Sequence, residues 1–211
     1  MDVISSLKWR YAVKKFDNAK KINANTLHVI EDALILTASS YGLQPWKFLI
    51  VQNEDIRKKL TSASWNQSQI EDCSHLIVFL AKKNIDEKYV NDYIYSIAKT
   101  RNIDVKLLDE YKAMMLGGIV NGMDAEKQKI WAQKQCYIAL GNLLNTCAIL
   151  SVDACPMEGF NAVKYDEILN LTDSGYTSTV VCPIGFRSTK DDYQNLQKVR
   201  FNKSELIDVM M

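Results

Sequence analysis

Apolar residues change their spacing several times along this chain, and each change predicts an element. Leu27, Ile30 and Leu34 recur at i, i+3 and i+7 behind two candidate caps, Asn23 and Asn25. That spacing predicts an amphipathic helix ending near Ser39. Residues 48–51 (FLIV) and 76–81 (LIVFLA) are instead unbroken apolar runs of strand length. A charged helical stretch over residues 53–64 separates them, and Lys82 and Lys83 close the second run. Residues 84–124 are polar and predicted to be helical, then loose where Gly117, Gly118 and Gly122 crowd into GGIVNG, which reads as a mobile, variable flap. A long helix is predicted over residues 124–150. Its second half carries Ile138, Leu140, Leu143, Leu144, Cys147 and Ile149 nearly all round, the mark of a buried central helix. Asn161 caps a further helix in which Tyr165 is spaced to staple onto Phe160. Residues 176–186 form the longest strand candidate. These elements interleave without a regular βαβ rhythm, so the predicted class is α+β.

With 211 residues, 47% of them hydrophobic, the chain can bury one substantial core, and a single domain over residues 1–211 is expected. Cys73, Cys136, Cys147, Cys155 and Cys182 form no CxxC pair and read as reduced core thiols of a cytoplasmic protein. The opening MDVISSLKWR has neither a basic leader nor a long apolar stretch, so no secretory signal is expected. The most apolar segment, residues 136–152, is interrupted by Asn142 and Asn145, which suits a buried helix and not a membrane span. The apolar tail ELIDVMM is expected to pack on a partner subunit.

A formal net charge of +1 argues against general nucleic-acid binding, yet the charge is unevenly placed. Residues 1–21 hold six Lys/Arg against Asp2 and Asp17, and residues 185–203 hold five against Asp191 and Asp192, so the remainder is acidic. Two basic ends suit either one shared anionic ligand or two independently solvated faces. Several chemistries are disfavoured. His28 and His75 stand alone in helix and strand patterns, so neither a metal site nor a His-based triad is expected. No G-x-G-x-x-G and no P-loop motif occurs, so redox or group-transfer chemistry would need a bound cofactor.

Five stretches stand out together: RYAVKKFD (residues 10–17), ASSYGLQPWKF (38–48), Asn66 before the DCSH run, PMEGF (156–160) and LQKVRF (196–201). In this order they resemble the FMN-dependent nitroreductase family, in particular its NAD(P)H-using bacterial nitroreductase and flavin reductase branch. The resemblance implies an α+β sandwich with a central mixed or antiparallel sheet flanked by helices, in an intertwined homodimer with FMN at the subunit interface. It implies that Arg10, Lys198 and Arg200 bind the flavin phosphate, and that Lys14 lies near the pyrimidine end of the ring. Ser39, Ser40 and Gln44 would reach across the dimer to hydrogen-bond the ribityl or ring edge, with Gly42 at the cofactor edge and Tyr41 facing the substrate. Asn66 would recognise the ring's polar edge. Pro156 would contact the cofactor, and Glu158 and Gly159 would bring a backbone N–H near flavin N5, leaving no side chain as an obligate catalyst.

The chain also departs from the family pattern. At three positions the resemblance places at the cofactor, it has Ala12 where a small hydroxyl residue is common, Gln69 where Lys or Arg is common, and Tyr11 in place of a histidine. The implied activity is ping-pong reduction of nitroaromatics, quinones or free flavins with NADH or NADPH. A dihydropteridine reductase, a reductive dehalogenase-like enzyme or a non-catalytic FMN-binding protein are the alternatives.

Overall fold

The structure, a computed structural model, describes residues 2–211. Among these, helices α1 (Val3–Trp9) and α2 (Ala24–Ile35) precede strand β1 (Trp46–Val51). Helices α3 (Glu54–Ser62) and α4 (Gln69–Asp72) lead to β2 (His75–Lys82), and α5 (Glu87–Arg101) and α6 (Asp109–Met115) follow. The long α7 (Ala125–Ile149), β3 (Asp153–Ala154), α8 (Ala162–Ile168), β4 (Tyr176–Gly185) and α9 (Lys203–Leu206) complete the chain. The four strands pair antiparallel in the order β1-β2-β4-β3. The class is α+β, with helices on both faces of the sheet.

Alternation along β2 explains the two faces. Ile77, Phe79 and Ala81 join α2 and α7 in one core with Ile30, Leu34, Leu140, Leu143 and Cys147. Leu76, Val78 and Leu80 join a second core with Leu60, Ile70 and Tyr165 from α3, α4 and α8. A strand buried on both faces needs apolar residues at every position, which is why LIVFLA shows no polar alternation. Phe160 stacks on Tyr165 with ring centroids 4.5 Å apart, and the Asn161 side chain accepts from Lys164 N. All five cysteines are buried and unpaired. No helix among the described residues is long and apolar enough to cross a membrane.

Two expectations change. Helix α2 is capped by Asn23 as expected but ends at Ile35, and Ser40–Gly42 instead forms a separate 3-10 turn. Residues 84–124 are not loose. Val90, Ile94, Ile97, Leu108, Met115 and Ile119 bury a third core, and GGIVNG runs through a π-helical turn, Leu116–Val120. Glycines can flank a wide helical turn as readily as a hinge, and composition does not separate the two.

Candidate functional site

Helix α1 stops at Trp9 because Arg10 turns extended (φ −70°, ψ 143°) while its N–H still reaches Ser6 O. The following segment crosses the sheet edge, where Ala12 bridges Ala154 and Phe16 bridges Arg187. This places Arg10, Tyr11, Ala12 and Lys14 on one wall of an open cleft of about 460 Å³, with Tyr193, Lys198 and Arg200 on the other. The basic ends of the chain therefore meet. Lys8, Arg10, Lys14, Lys198 and Arg200 all line the cleft, and no carboxylate does among the described residues. Lys198 Nζ donates to the Arg10 carbonyl. Burial, then the Arg10 and Arg200 guanidiniums, pull the Lys198 pKa below its ordinary value. The buried Arg10 Nε has no hydrogen-bond partner among the described residues. Like charges held together around an orphaned donor fit an anion, and a phosphate matches the guanidinium fork best.

The wall is held by residues that sequence reasoning passed over. Asp191, only 1% exposed, accepts from Lys14 N (2.8 Å), Lys15 N (3.2 Å) and the Tyr11 hydroxyl (3.0 Å) through one oxygen, and from Tyr193 N (3.2 Å) through the other. One carboxylate thereby ties the two basic segments to each other. Arg187, one of the five Lys/Arg counted in residues 185–203, is already paired. Its backbone N–H and side chain bind the buried Asp153 at 2.5–2.8 Å, and its guanidinium stacks 4.2 Å from the Trp9 ring and 4.6 Å from Tyr11. A count of charges cannot distinguish an arginine already paired from one open to a ligand.

The PMEGF stretch continues from the strand that Ala12 bridges. Cys155 is raised mainly by burial, with Lys14 and Arg10 pulling against it, so the cleft's charge reaches the residue before Pro156. Glu158 is exposed and accepts from Tyr137 Oη of α7 at 2.5 Å. Gly159 lies under Trp65, whose indole is 70% exposed, and the Gly159 carbonyl accepts from Gln67 Nε2 at 2.9 Å. Trp65 and Asn66 both adopt left-handed backbone (φ 53° and 57°); the exposed Trp65 indole lies against this stretch, and Asn66 is exposed beside it in sequence. Trp65 was not among the predicted site residues; an aromatic beside Asn66 carries no signal of its own. Gln69, expected at the cofactor, is 8% exposed at the start of α4 and does not line the cleft.

Gly159 offers a direct check of this packing. A Cβ there would lie 2.8 Å from Trp65 Cζ3 and 3.0 Å from Gln67 Nε2. Gly159→Ala is expected to push the indole aside and break the Gln67 contact, at about 1 kcal/mol of stability. Tryptophan emission and thermal unfolding measure both effects.

The remaining predicted residues lie elsewhere. Ser39, Ser40, Tyr41 and Gly42 line none of the basic cleft, and Gln44 opens onto a separate apolar groove with Leu34, Trp46, Phe48 and Ile50. Within the loop, Ser39 Oγ accepts from Gln44 N (3.0 Å), and Ser40 N donates to the buried Gln135 Oε1 (2.9 Å). Trp46 is buried in the first core. One chain thus brings together Arg10, Tyr11, Ala12, Lys14, Lys198 and Arg200, and holds the Ser39–Gln44 loop apart from them.

The geometry agrees with the comparisons. A model described as the nitroreductase family matches residues 7–186. A Staphylococcus haemolyticus protein named "Putative NAD(P)H nitroreductase SH0546" is 36% identical over 194 residues, covering 88% of each chain. Among solved structures, the "putative nitroreductase ydfN" of Bacillus subtilis superposes with a TM-score of 0.83 over 98% of each chain at 20% identity. A "putative nitroreductase in complex with FMN" from Exiguobacterium sibiricum reaches 0.81 over 100% of this chain and 98% of its own, also at 20% identity. At that identity the two structures show a shared fold. The family match and the Staphylococcus relative carry more: the chain belongs to the nitroreductase family of oxidoreductases.

Proposed function

We propose that the protein is an NAD(P)H-dependent FMN oxidoreductase that reduces a small-molecule acceptor such as a nitroaromatic, quinone or free flavin. The observation that carries the cofactor assignment is the cleft built from both ends of the chain, with five cations, no carboxylate and the unpartnered Arg10 Nε. When bound, FMN would supply the redox chemistry, hydride transfer from NADH or NADPH to the acceptor. The protein contributes binding, placement and electrostatics. Arg10, Lys198 and Arg200 hold the phosphate. Lys14 adds a positive charge on the same wall, which favours a cofactor that becomes more negative as it is reduced. Gly159 and Glu158 present backbone beside an exposed indole, and Asn66 would offer its amide to the polar edge of the ring.

The Ser39–Gln44 loop is absent from its own chain's cleft, which favours a site completed by a second copy. In such a homodimer the loop of one protomer faces the basic cleft of the other. The exposed Ile207, Val209, Met210 and Met211 of the tail then have a partner surface to cover.

Pure protein is expected to be yellow, or to turn yellow on reconstitution with FMN, and anaerobic addition of NADH or NADPH is expected to bleach the flavin band. A colourless protein that gains no FMN would overturn the reading. Bound flavin that neither nicotinamide reduces would leave a flavin-binding protein without the proposed turnover.

A further inference from the structure

The loop proposed to meet the flavin is conformationally costly. Tyr41 (φ 57°), Gly42 (φ 65°) and Gln44 (φ 50°) all sit in the left-handed region, where residues other than glycine are disfavoured. Its own hydrogen bonds, Gly42 N to Ser39 O (2.8 Å) and Leu43 N to Ser40 O (3.2 Å), pair those two amides but do not use the carbonyls of Tyr41 and Leu43.

Tyrosines from the third core accept that task. Tyr111 Oη on α6 donates to Tyr41 O at 2.7 Å. Tyr89 Oη on α5 lies 2.8 Å from Gln44 O and 3.2 Å from Leu43 O. One turn along α5, the Tyr93 hydroxyl lies so close to Gly42 that a Cβ there would force the ring to shift. A Cβ on Gly118, in the π-helical turn, would touch the Tyr41 hydroxyl at 3.4 Å. The rings of Tyr41 and Tyr111 pack with centroids 6.3 Å apart. Burial raises the Tyr89 and Tyr93 phenols above their ordinary pKa, so both hydroxyls keep their protons.

We propose that Tyr89 and Tyr111 are positioning residues for the cofactor: they clamp the carbonyls of Tyr41, Leu43 and Gln44 and so present Ser39, Ser40 and Gln44 in the conformation that binds FMN. The region 84–124 is thereby assigned a cofactor role in addition to any choice of acceptor. The inference rests on the flavin reading above.

The test is FMN affinity, measured by quenching of flavin fluorescence, together with the visible circular dichroism of the bound flavin and the unfolding temperature of the apoprotein. Tyr89→Phe/Tyr111→Phe keeps both rings and removes only the hydroxyls. It is expected to weaken FMN binding about tenfold and to alter the flavin dichroism, with each single variant intermediate. Tyr95→Phe, on the exposed side of α5, is expected to match the wild type. A purely structural role would lower the unfolding temperature while leaving affinity and dichroism at wild-type values, and that result overturns the clamp. Should the double variant not fold, the singles decide by the same criterion. Failure of the wild type to bind FMN would overturn the flavin reading and the clamp with it. Unchanged binding in the variants beside a flavin-binding wild type would overturn the clamp alone.

Discussion

Replacing Asp191 by alanine is expected to lower the unfolding temperature by roughly 6–20 °C and to weaken FMN binding at the same time. Among the described residues the carboxylate has no cation in salt-bridge contact; its partners are the backbone amides of Lys14, Lys15 and Tyr193 and the Tyr11 phenol. Each hydrogen bond to a charged acceptor is worth about 1.5–3 kcal/mol, and removing the acceptor strands several donors around a residue that is 1% exposed. The sum is not additive, so about 3–5 kcal/mol is expected. Asp191→Asn keeps the shape but turns an NH₂ toward donors, and should fall between the wild type and alanine.

The pH dependence has a definite sign. Burial pushes the Asp191 carboxyl up, but the donations from Lys14, Lys15, Tyr11 and Tyr193 outweigh it and hold the pKa below its ordinary value of 3.8. A depressed native pKa means that the contribution is complete above the unfolded value, at about pH 4 and higher. It is lost as the pH falls through the lower native value. Thermal unfolding between pH 5 and pH 2 should therefore lose stability more steeply in the wild type than in Asp191→Ala, with the difference opening below about pH 4. Parallel curves would show that Asp191 does not carry the effect.

The same carboxylate shows why the site was only partly legible in sequence. Arg10, Lys14, Lys198 and Arg200 announce themselves by charge, and the structure does bring them to one cleft across 190 residues of chain. Asp191 was read only as an offset to the basic charge nearby, because the property that matters, burial against four donors, is tertiary. Arg187 went astray for the same reason: its partner Asp153 lies 34 residues away and beneath the surface. The fold was easier. Strand β2, helix α7 and the Phe160–Tyr165 staple follow from local period and capping, which depend on near neighbours alone. The helix-to-loop boundary after Ile35 and the π-helical turn at Leu116–Val120 were misread; the second is set by packing in the third core, which local spacing does not reveal. A glycine-rich run looks alike whether solvent or a neighbouring Tyr41 occupies the space beside it.

The remaining large effect belongs to the phosphate donors. Arg10→Ala and Arg200→Ala are each expected to weaken FMN binding by about 1.5–3 kcal/mol, roughly tenfold to a hundredfold, the scale of a charge-assisted hydrogen bond. Arg10 should lie at the upper end, because its buried Nε already lacks a partner and gains one without giving any up. Raising the salt concentration should weaken wild-type binding more than that of either variant, since part of the attraction is a screened charge interaction. Riboflavin separates this role from a general disturbance of the cleft: it presents the same ring and ribityl chain without the phosphate. If the cations act on the phosphate, the variants lose their disadvantage when riboflavin replaces FMN. An equal loss for both ligands would mean that Arg10 and Arg200 shape the cleft but do not read the anion, and the assignment of its two basic walls would have to be abandoned.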